Sequence, residues 1–191
     1  MATPPFDASK AVTFDLSRGQ IQKDDEPRLL VSAKALMELC HAAGADATAT
    51  FARAAGESIG AAIARRFERA GGDPKGASID AVVEHLGGEI ALAGFGSLSI
   101  ERWGRALVIV VDRGPASPDG DRVLAPLLAS AVSTAAKVEA RCVRLSRDGD
   151  RARFLVTGPK GAEKVRDWLL SGISWGEALV RLHPGARAGE A

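Results

Sequence analysis

Histidine and cysteine are the residue types in this chain that could ligate a metal or provide a nucleophile with its base. His41, His85 and His183 are far apart, and none has a second histidine or a cysteine four residues away, the spacing of a helical zinc site. Cys40 directly precedes His41, so on a helix their side chains point in different directions. The pattern predicts no metal site and no cysteine nucleophile.

Serine nucleophiles and phosphate-binding loops also lack their usual patterns. The chain has no Gly-x-Ser-x-Gly elbow. Gly94-Phe95-Gly96 begins like a dinucleotide-binding fingerprint, but the third glycine is missing and a strand rather than a helix should follow. Residues 72–78, Gly-Asp-Pro-Lys-Gly-Ala-Ser, lack the Gly-Lys-Ser/Thr ending of a P-loop. We therefore predict no catalytic residue and no cofactor, and the sequence favours a binding module over an enzyme.

Large aromatic side chains are scarce, with three Trp, six Phe and no Tyr, so their positions are informative. One interpretation is that they fill the core. The other is that they line a mostly apolar cavity between sheet and helices, which would suit a small hydrophobic ligand. His85 has two interpretations as well, an ordinary surface or core histidine or a residue at the mouth of such a cavity. The candidate ligand-binding residues on this second interpretation are Phe67, His85, Phe95, Trp103 and Trp168.

The charge balance points to no particular class of partner. The chain has 25 basic and 24 acidic residues, a formal charge of +1. Between Lys137 and Arg187 there are 11 basic and 6 acidic residues, a local excess of 11 − 6 = +5. Five arginines lie between residues 141 and 153 with almost no interleaved aromatics, which is more typical of a solvated sheet edge than of a nucleic-acid interface. We expect no nucleic-acid partner.

Cysteine content and hydropathy predict a cytoplasmic protein. Two cysteines are too few for a disulfide framework in a chain of this size. The first residues lack the basic start and apolar run of a secretory signal, and no window reaches the ~18 apolar residues of a membrane span.

Two helices are predicted in the first third of the chain. Apolar residues at three- and four-residue spacing predict the first from residue 27 to about Gly44. Asp46 is placed to cap a second, the longest, which runs to about Arg69. Gly56, Gly60 and Ala64 form a stripe of small residues on it, which predicts a tight helix crossing or a subunit contact.

The rest of the chain predicts two hairpins separated and flanked by helices. Residues 94–114 read as a hairpin that turns at Trp103 and Gly104, and residues 137–145 and 152–157 read as a second that turns at Asp148 and Gly149. Together they predict a four-stranded antiparallel sheet packed against about five helices, an α+β fold. The later helices are predicted at 78–92, 123–136, 161–170 and 174–182, the first of them capped by Ser78.

The length and the even composition predict one well-cored domain. We place it at residues 27–184. Residues 1–26 are expected to form an N-terminal tail or arm, with either a short strand or an extended arm at 11–16, and residues 185–191 a C-terminal tail.

Three segments, in this order and at this spacing, resemble a known family. They are Phe-Ala-Arg-Ala-Ala-Gly-Glu-Ser-Ile-Gly at 51–60, Leu-Ala-Gly-Phe-Gly-Ser-Leu-Ser-Ile-Glu at 92–101, and the second hairpin at 138–156. Over residues 29–182 the chain resembles the 4-vinyl-reductase-type domain of hydrocarbon-binding proteins. That domain shares its NO-signalling and Golgi-transport ligand-binding fold with the transport protein particle (TRAPP) subunits and, more distantly, with haem nitric-oxide sensors.

The resemblance implies a homodimer packed through helices and a buried pocket for a small apolar or aromatic molecule. Zinc-binding members carry Glu-x-x-Cys on one strand and Cys-x-Phe on the next. Glu139 and Cys142 match the first motif, but Ala152-Arg153-Phe154 lacks the second cysteine. Two ligands cannot complete a tetrahedral site, so no metal is expected and Cys142 is expected to be a small buried packing residue.

Three hypotheses of function follow. The first is a non-enzymatic, homodimeric module that binds or senses a small hydrophobic molecule. The second is a scaffold or adaptor like the TRAPP subunits, whose surface binds a protein such as a small GTPase. The third, an enzyme that reduces a vinyl group, is suggested by the family name alone and has no catalytic residues to support it.

Overall fold

The computed structural model describes residues 6–7, 11–23, 26–71, 78–114 and 118–183. Within them lie seven strands and six helices. The strands are β1 Val12–Asp15, β2 Gln20–Lys23, β3 Glu26–Arg28, β4 Ser97–Trp103, β5 Ala106–Asp112, β6 Arg141–Asp148 and β7 Arg151–Thr157. The helices are α1 Ala33–Ala43, α2 Ala45–Arg69, α3 Ile79–Leu92, α4 Pro118–Ala136, α5 Pro159–Leu170 and α6 Trp175–Leu182. None of these helices is long and apolar enough to cross a membrane.

Strands β4 to β7 form the four-stranded antiparallel sheet, in the order β4-β5-β7-β6. The predicted α+β fold and the pairing of two hairpins are therefore confirmed. Gly104 and Gly149 sit at the two hairpin turns with φ of 59° each, a left-handed conformation that glycine adopts without strain. Strand β6 begins at Arg141 rather than at residue 137, because Lys137 ends the preceding helix with a positive φ of 53°.

Strands β1, β2 and β3 form a separate three-stranded antiparallel sheet. A strand or extended arm was expected at residues 11–16, but β2 and β3 were not. Both are three or four residues long and mostly polar, so they carry little of the apolar alternation that marks a strand in sequence. Residues 27 and 28 belong to β3, so the first helix begins at Ala33.

The four-stranded sheet separates two hydrophobic clusters. Along β5, Ile109 and Val111 face an inner cluster shared with α2, α3 and α4, whereas Val108 and Val110 face an outer cluster shared with α5 and α6. All four side chains are at most 1% exposed. The strand is thus apolar on both faces, because successive residues point to opposite sides of a sheet and both sides are covered.

The small-residue stripe on α2 is a crossing point with α4. A Cβ on Gly56 would overlap the carbonyl oxygen of Leu127, and a Cβ on Gly60 would lie 2.5 Å from that of Ala131. The backbones of the two helices therefore approach more closely than any residue larger than glycine permits at these positions. Of the two expectations for this stripe, the helix crossing within the chain is the one observed.

Candidate functional site

Helices α2 and α3 bring Phe67 and His85 together. Their ring centroids are 5.2 Å apart in an edge-to-face arrangement. Phe67 is 2% exposed and His85 is 4% exposed. Ser78 fixes the start of α3, since its hydroxyl oxygen accepts a hydrogen bond from the Ala81 backbone N–H at 3.2 Å. The His85 imidazole is thus buried against an aromatic ring.

One turn after His85, α3 carries the buried carboxylate of Glu89. Its side chain is 1% exposed and forms two ion pairs, with Lys23 Nζ at 2.5 Å and with Arg66 Nη1 at 2.6 Å. Lys23 comes from β2 and Arg66 from the last turn of α2. Because burying a single carboxylate is costly, these cations are what make the position tolerable for Glu89.

Phe6 lies over this pair of helices. Its ring contacts His85 edge-on with centroids 6.1 Å apart, and the Arg66 guanidinium lies 5.0 Å from its centroid. A Cβ on Gly88 would be 2.5 Å from Phe6 Cγ and nearer still to Cδ1 and Cε1. The absence of a side chain at residue 88 is therefore what lets the ring approach α3 so closely.

The arrangement combines two aromatic rings with one imidazole. Phe6 and Phe67 offer aromatic surfaces, and His85 is a hydrogen-bonding group set between them.

The other three predicted site residues divide between the two faces of the sheet. Phe95 is 7% exposed and belongs to the inner cluster with Phe67. Its backbone N–H donates to the Ile90 carbonyl, which closes the end of α3. Trp103 and Trp168 lie on the outer side, where Trp103 packs edge-on against Trp175 at 4.8 Å. The structure therefore brings Phe67, His85 and Phe95 to one side and leaves both tryptophans on the other.

Trp103 is part of a polar cluster on that outer face. Its indole N–H donates to Glu101 Oε2 at 3.2 Å, and Arg153 binds the same carboxylate through two hydrogen bonds of 3.1 Å. The Arg153 guanidinium also lies 5.7 Å from the Trp175 ring centroid. The hydrogen bond from Arg153 is the main cause that lowers the pKa of Glu101, and the Trp103 bond adds to it.

The arginines of the second hairpin are paired with carboxylates. A side-chain hydrogen bond to Asp121 raises the pKa of Arg147, and one to Asp112 raises the pKa of Arg151. Asp121, at the start of α4, is 3% exposed and accepts from two of these arginines. The pairs are Arg141 with Glu139, Arg144 and Arg147 with Asp121, Arg151 with Asp112, and Arg153 with Glu101. The local basic excess in the sequence is thus largely used to tie strands and a helix together.

Cys142 and Glu139, the half motif of a zinc site, lie in different environments. Burial raises the pKa of the Cys142 thiol to about 12, and the side chain belongs to the inner cluster. Glu139 is exposed and pairs with Arg141. Within the described ranges, no three His, Cys, Asp or Glu side chains are arranged to hold a metal ion.

Comparison with known proteins supports the fold at low sequence identity. No protein-family model and no curated protein matches the chain. Among solved structures, it is similar to the phenol-responsive sensory domain of the transcription activator PoxR, crystallised with phenol. The chain shares its fold with a ligand-binding sensory domain. The TM-score is 0.59 at 13% identity, and the match covers 92% of this chain and 93% of the other.

Sequence reasoning missed the polar half of the site. Glu89 carried a usable signal, because it is a charge four residues from His85 in an otherwise apolar stretch of helix, and such a residue is either exposed or paired. The sequence gives no such signal for Gly88 or Phe6. A glycine in a helix and a phenylalanine in an expected tail can be assigned to a site only once the two segments are known to be in contact.

Proposed function

We propose that this chain is a non-enzymatic module that binds or senses a small, mostly apolar molecule with one polar group. The observation that carries the proposal is the buried His85 between Phe67 and Phe6, in a fold shared with a phenol-responsive sensory domain. Phenol is the natural first probe, since an imidazole can hydrogen-bond its hydroxyl while the aromatic rings contact its ring. Membership of the 4-vinyl-reductase-type family is part of this proposal.

The test is ligand-induced stabilisation of the full chain. Thermal unfolding is measured with phenol, substituted phenols and fatty acids, and native mass spectrometry is used to look for a molecule that copurifies. A ligand that binds the native state alone at about 100 times its Kd stabilises it by about 2.7 kcal/mol, a shift that is easily detected. If no probe moves the melting temperature and no molecule copurifies, ligand binding is rejected.

A matched pair of histidine variants locates the binding. His85→Ala should abolish the shift produced by the best probe, because it removes the imidazole that contacts both phenylalanine rings. His41→Ala should leave the shift unchanged, because His41 is exposed on α1. If both variants lose the melting-temperature shift equally, or if neither loses it, the probe binds at a site other than His85.

We also propose that the functional unit is a homodimer. Leu29, Leu30 and Val31, three consecutive apolar residues between β3 and α1, are 90%, 87% and 55% exposed. A run of apolar side chains this exposed is typical of an interaction surface. The same surface supports the alternative function, a TRAPP-like scaffold or adaptor that binds a protein such as a small GTPase. Pulldown with purified small GTPases separates the two, since the sensor needs no such partner.

The expectation of a cytoplasmic protein belongs to the same proposal. Cys40 and Cys142 are both buried and unbridged. This arrangement suits a reducing compartment, where thiols persist.

A further inference from the structure

The described residues before residue 29, Phe6 with β1, β2 and β3, form what we call the N-terminal cover. Its strands pair only with each other, in the three-stranded sheet. The cover therefore shares no strand pairing with the four-stranded sheet, and its attachment to the rest of the molecule depends on side chains.

Two attachment points lie on α3, and further contacts reach α2, where Arg65 pairs with Glu26 at 3.5 Å and the Arg66 guanidinium lies 5.0 Å from the Phe6 ring centroid. The ion pair between Lys23 and Glu89 connects β2 to the helix, with side chains 10% and 1% exposed. One position earlier, Phe6 rests on Gly88 and touches His85. The Phe6 contact places the cover next to the candidate ligand-binding histidine, which is 4% exposed.

The cover itself contributes little apolar burial. Among its described residues Lys23 alone is buried, while Phe14 and Leu16 are 61% and 84% exposed. Segments with few buried apolar contacts open locally at free energies well below that of global unfolding. The cover has few buried apolar contacts and lies next to the candidate site, so its local opening would expose that site.

We propose that the N-terminal cover is the gate of the His85 site and that Phe6, seated on Gly88, is the residue that closes it. The gate opens when Phe6 leaves Gly88, and it then admits a small molecule to His85 and Phe67. The inference rests on the proposed function only for the identity of the small molecule that the open gate admits. The closure can be measured without any ligand.

The measurement is the rate at which diethyl pyrocarbonate modifies His85 in the full chain, followed by peptide mass spectrometry. Exposed His41 is the internal reference. Phe6→Ala removes the closing ring, and Gly88→Ala adds a methyl group where the ring now lies. Both should raise the rate at His85 relative to His41 by about tenfold or more, because each shifts the local opening equilibrium.

Gly87→Ala is the matched control. It adds the same methyl group at the adjacent position of the same helix, where the nearest atoms, in Leu98, are 3.7 Å away in ordinary contact. Its His85 rate should equal that of the wild type. The proposal is overturned if Phe6→Ala and Gly88→Ala leave the rate unchanged, or if Gly87→Ala raises it as much as Gly88→Ala.

Hydrogen exchange of the wild-type chain tests the gate without a substitution. Amides of β1 and β2 should exchange through local opening, far faster than those of α2 and α4. Exchange of the cover only at the rate of global unfolding would overturn the gate. Protection of His85 by phenol in Phe6→Ala supports passage of the ligand, whereas absence of protection counts against the proposed function and leaves the accessibility result intact.

Discussion

Glu101 shows how a single carboxylate organises the outer face of the sheet. It joins β4 to β7 through Arg153, crossing β5, and holds the indole of Trp103. Both oxygens of the carboxylate accept from Arg153, the two-pronged geometry that fixes an arginine most firmly. The same residue therefore positions a cation and an aromatic ring for the packing of α6.

Glu101→Gln should destabilise the fold by about 1 kcal/mol at neutral pH, the upper range for a partly exposed pair. Because the pKa of Glu101 is lowered in the folded state, its contribution is complete above the ordinary value of 4.5 and disappears as pH falls below it. The stability difference between wild type and Glu101→Gln should shrink below pH 4.5. Urea unfolding over a pH series measures this difference.

Glu38→Gln is the control for that series. Glu38 pairs with Lys34 at 3.9 Å, and both side chains are largely exposed. Its replacement should change stability little at any pH. A difference for Glu101→Gln that stays constant from pH 7 to acid would show that the effect is not electrostatic.

At the scale of elements, the crossing of α2 and α4 sets the inner core. Gly56 and Gly60 lie one turn apart, and each meets a backbone carbonyl of α4. The close approach brings the long helix into the same cluster as α3, where Phe67 reaches His85. The geometry of the candidate site thus depends on glycines that are remote from it.

Gly60→Ala should lower the free energy of unfolding by about 1–3 kcal/mol, the usual cost of overpacking, because its Cβ would press on Ala131 and Thr134. Gly176→Ala, on α6, adds the same methyl group into open space and should stabilise by up to about 1 kcal/mol through helix propensity. Chemical denaturation of both variants measures their free energies of unfolding against that of the wild type. Stabilisation by Gly60→Ala would contradict the tight crossing.

Elements with strong local signals could be predicted from the sequence, and weakly marked ones could not. The hairpins were predictable because Gly104 and Gly149 supply turns between apolar runs, and Ser78 marked the start of α3. Strands β2 and β3 were not, since their few polar residues follow no apolar alternation. For the site, His85 and Phe67 could be proposed as candidates, but the cover over them depends on contacts distant in sequence.

At the scale of the whole molecule, the exposed apolar residues between β3 and α1 predict self-association. Leu30→Glu should convert a dimer to a monomer in light scattering after size-exclusion chromatography, because a charge cannot be buried unpaired in an apolar interface. Leu170→Glu, at the end of α5, alters a side chain that is 80% exposed and should leave the dimer mass measured by light scattering unchanged. A monomeric wild-type chain would contradict the dimer.

The two-sided sheet also determines what the protein's own fluorescence can report. The chain has three tryptophans, and all of them, Trp103, Trp168 and Trp175, lie on the outer side, whereas His85 and Phe67 lie on the inner side. A molecule bound at His85 would be screened from every indole by a layer of β-strand. A silent tryptophan spectrum on adding such a molecule would therefore say nothing about occupancy of the His85 site.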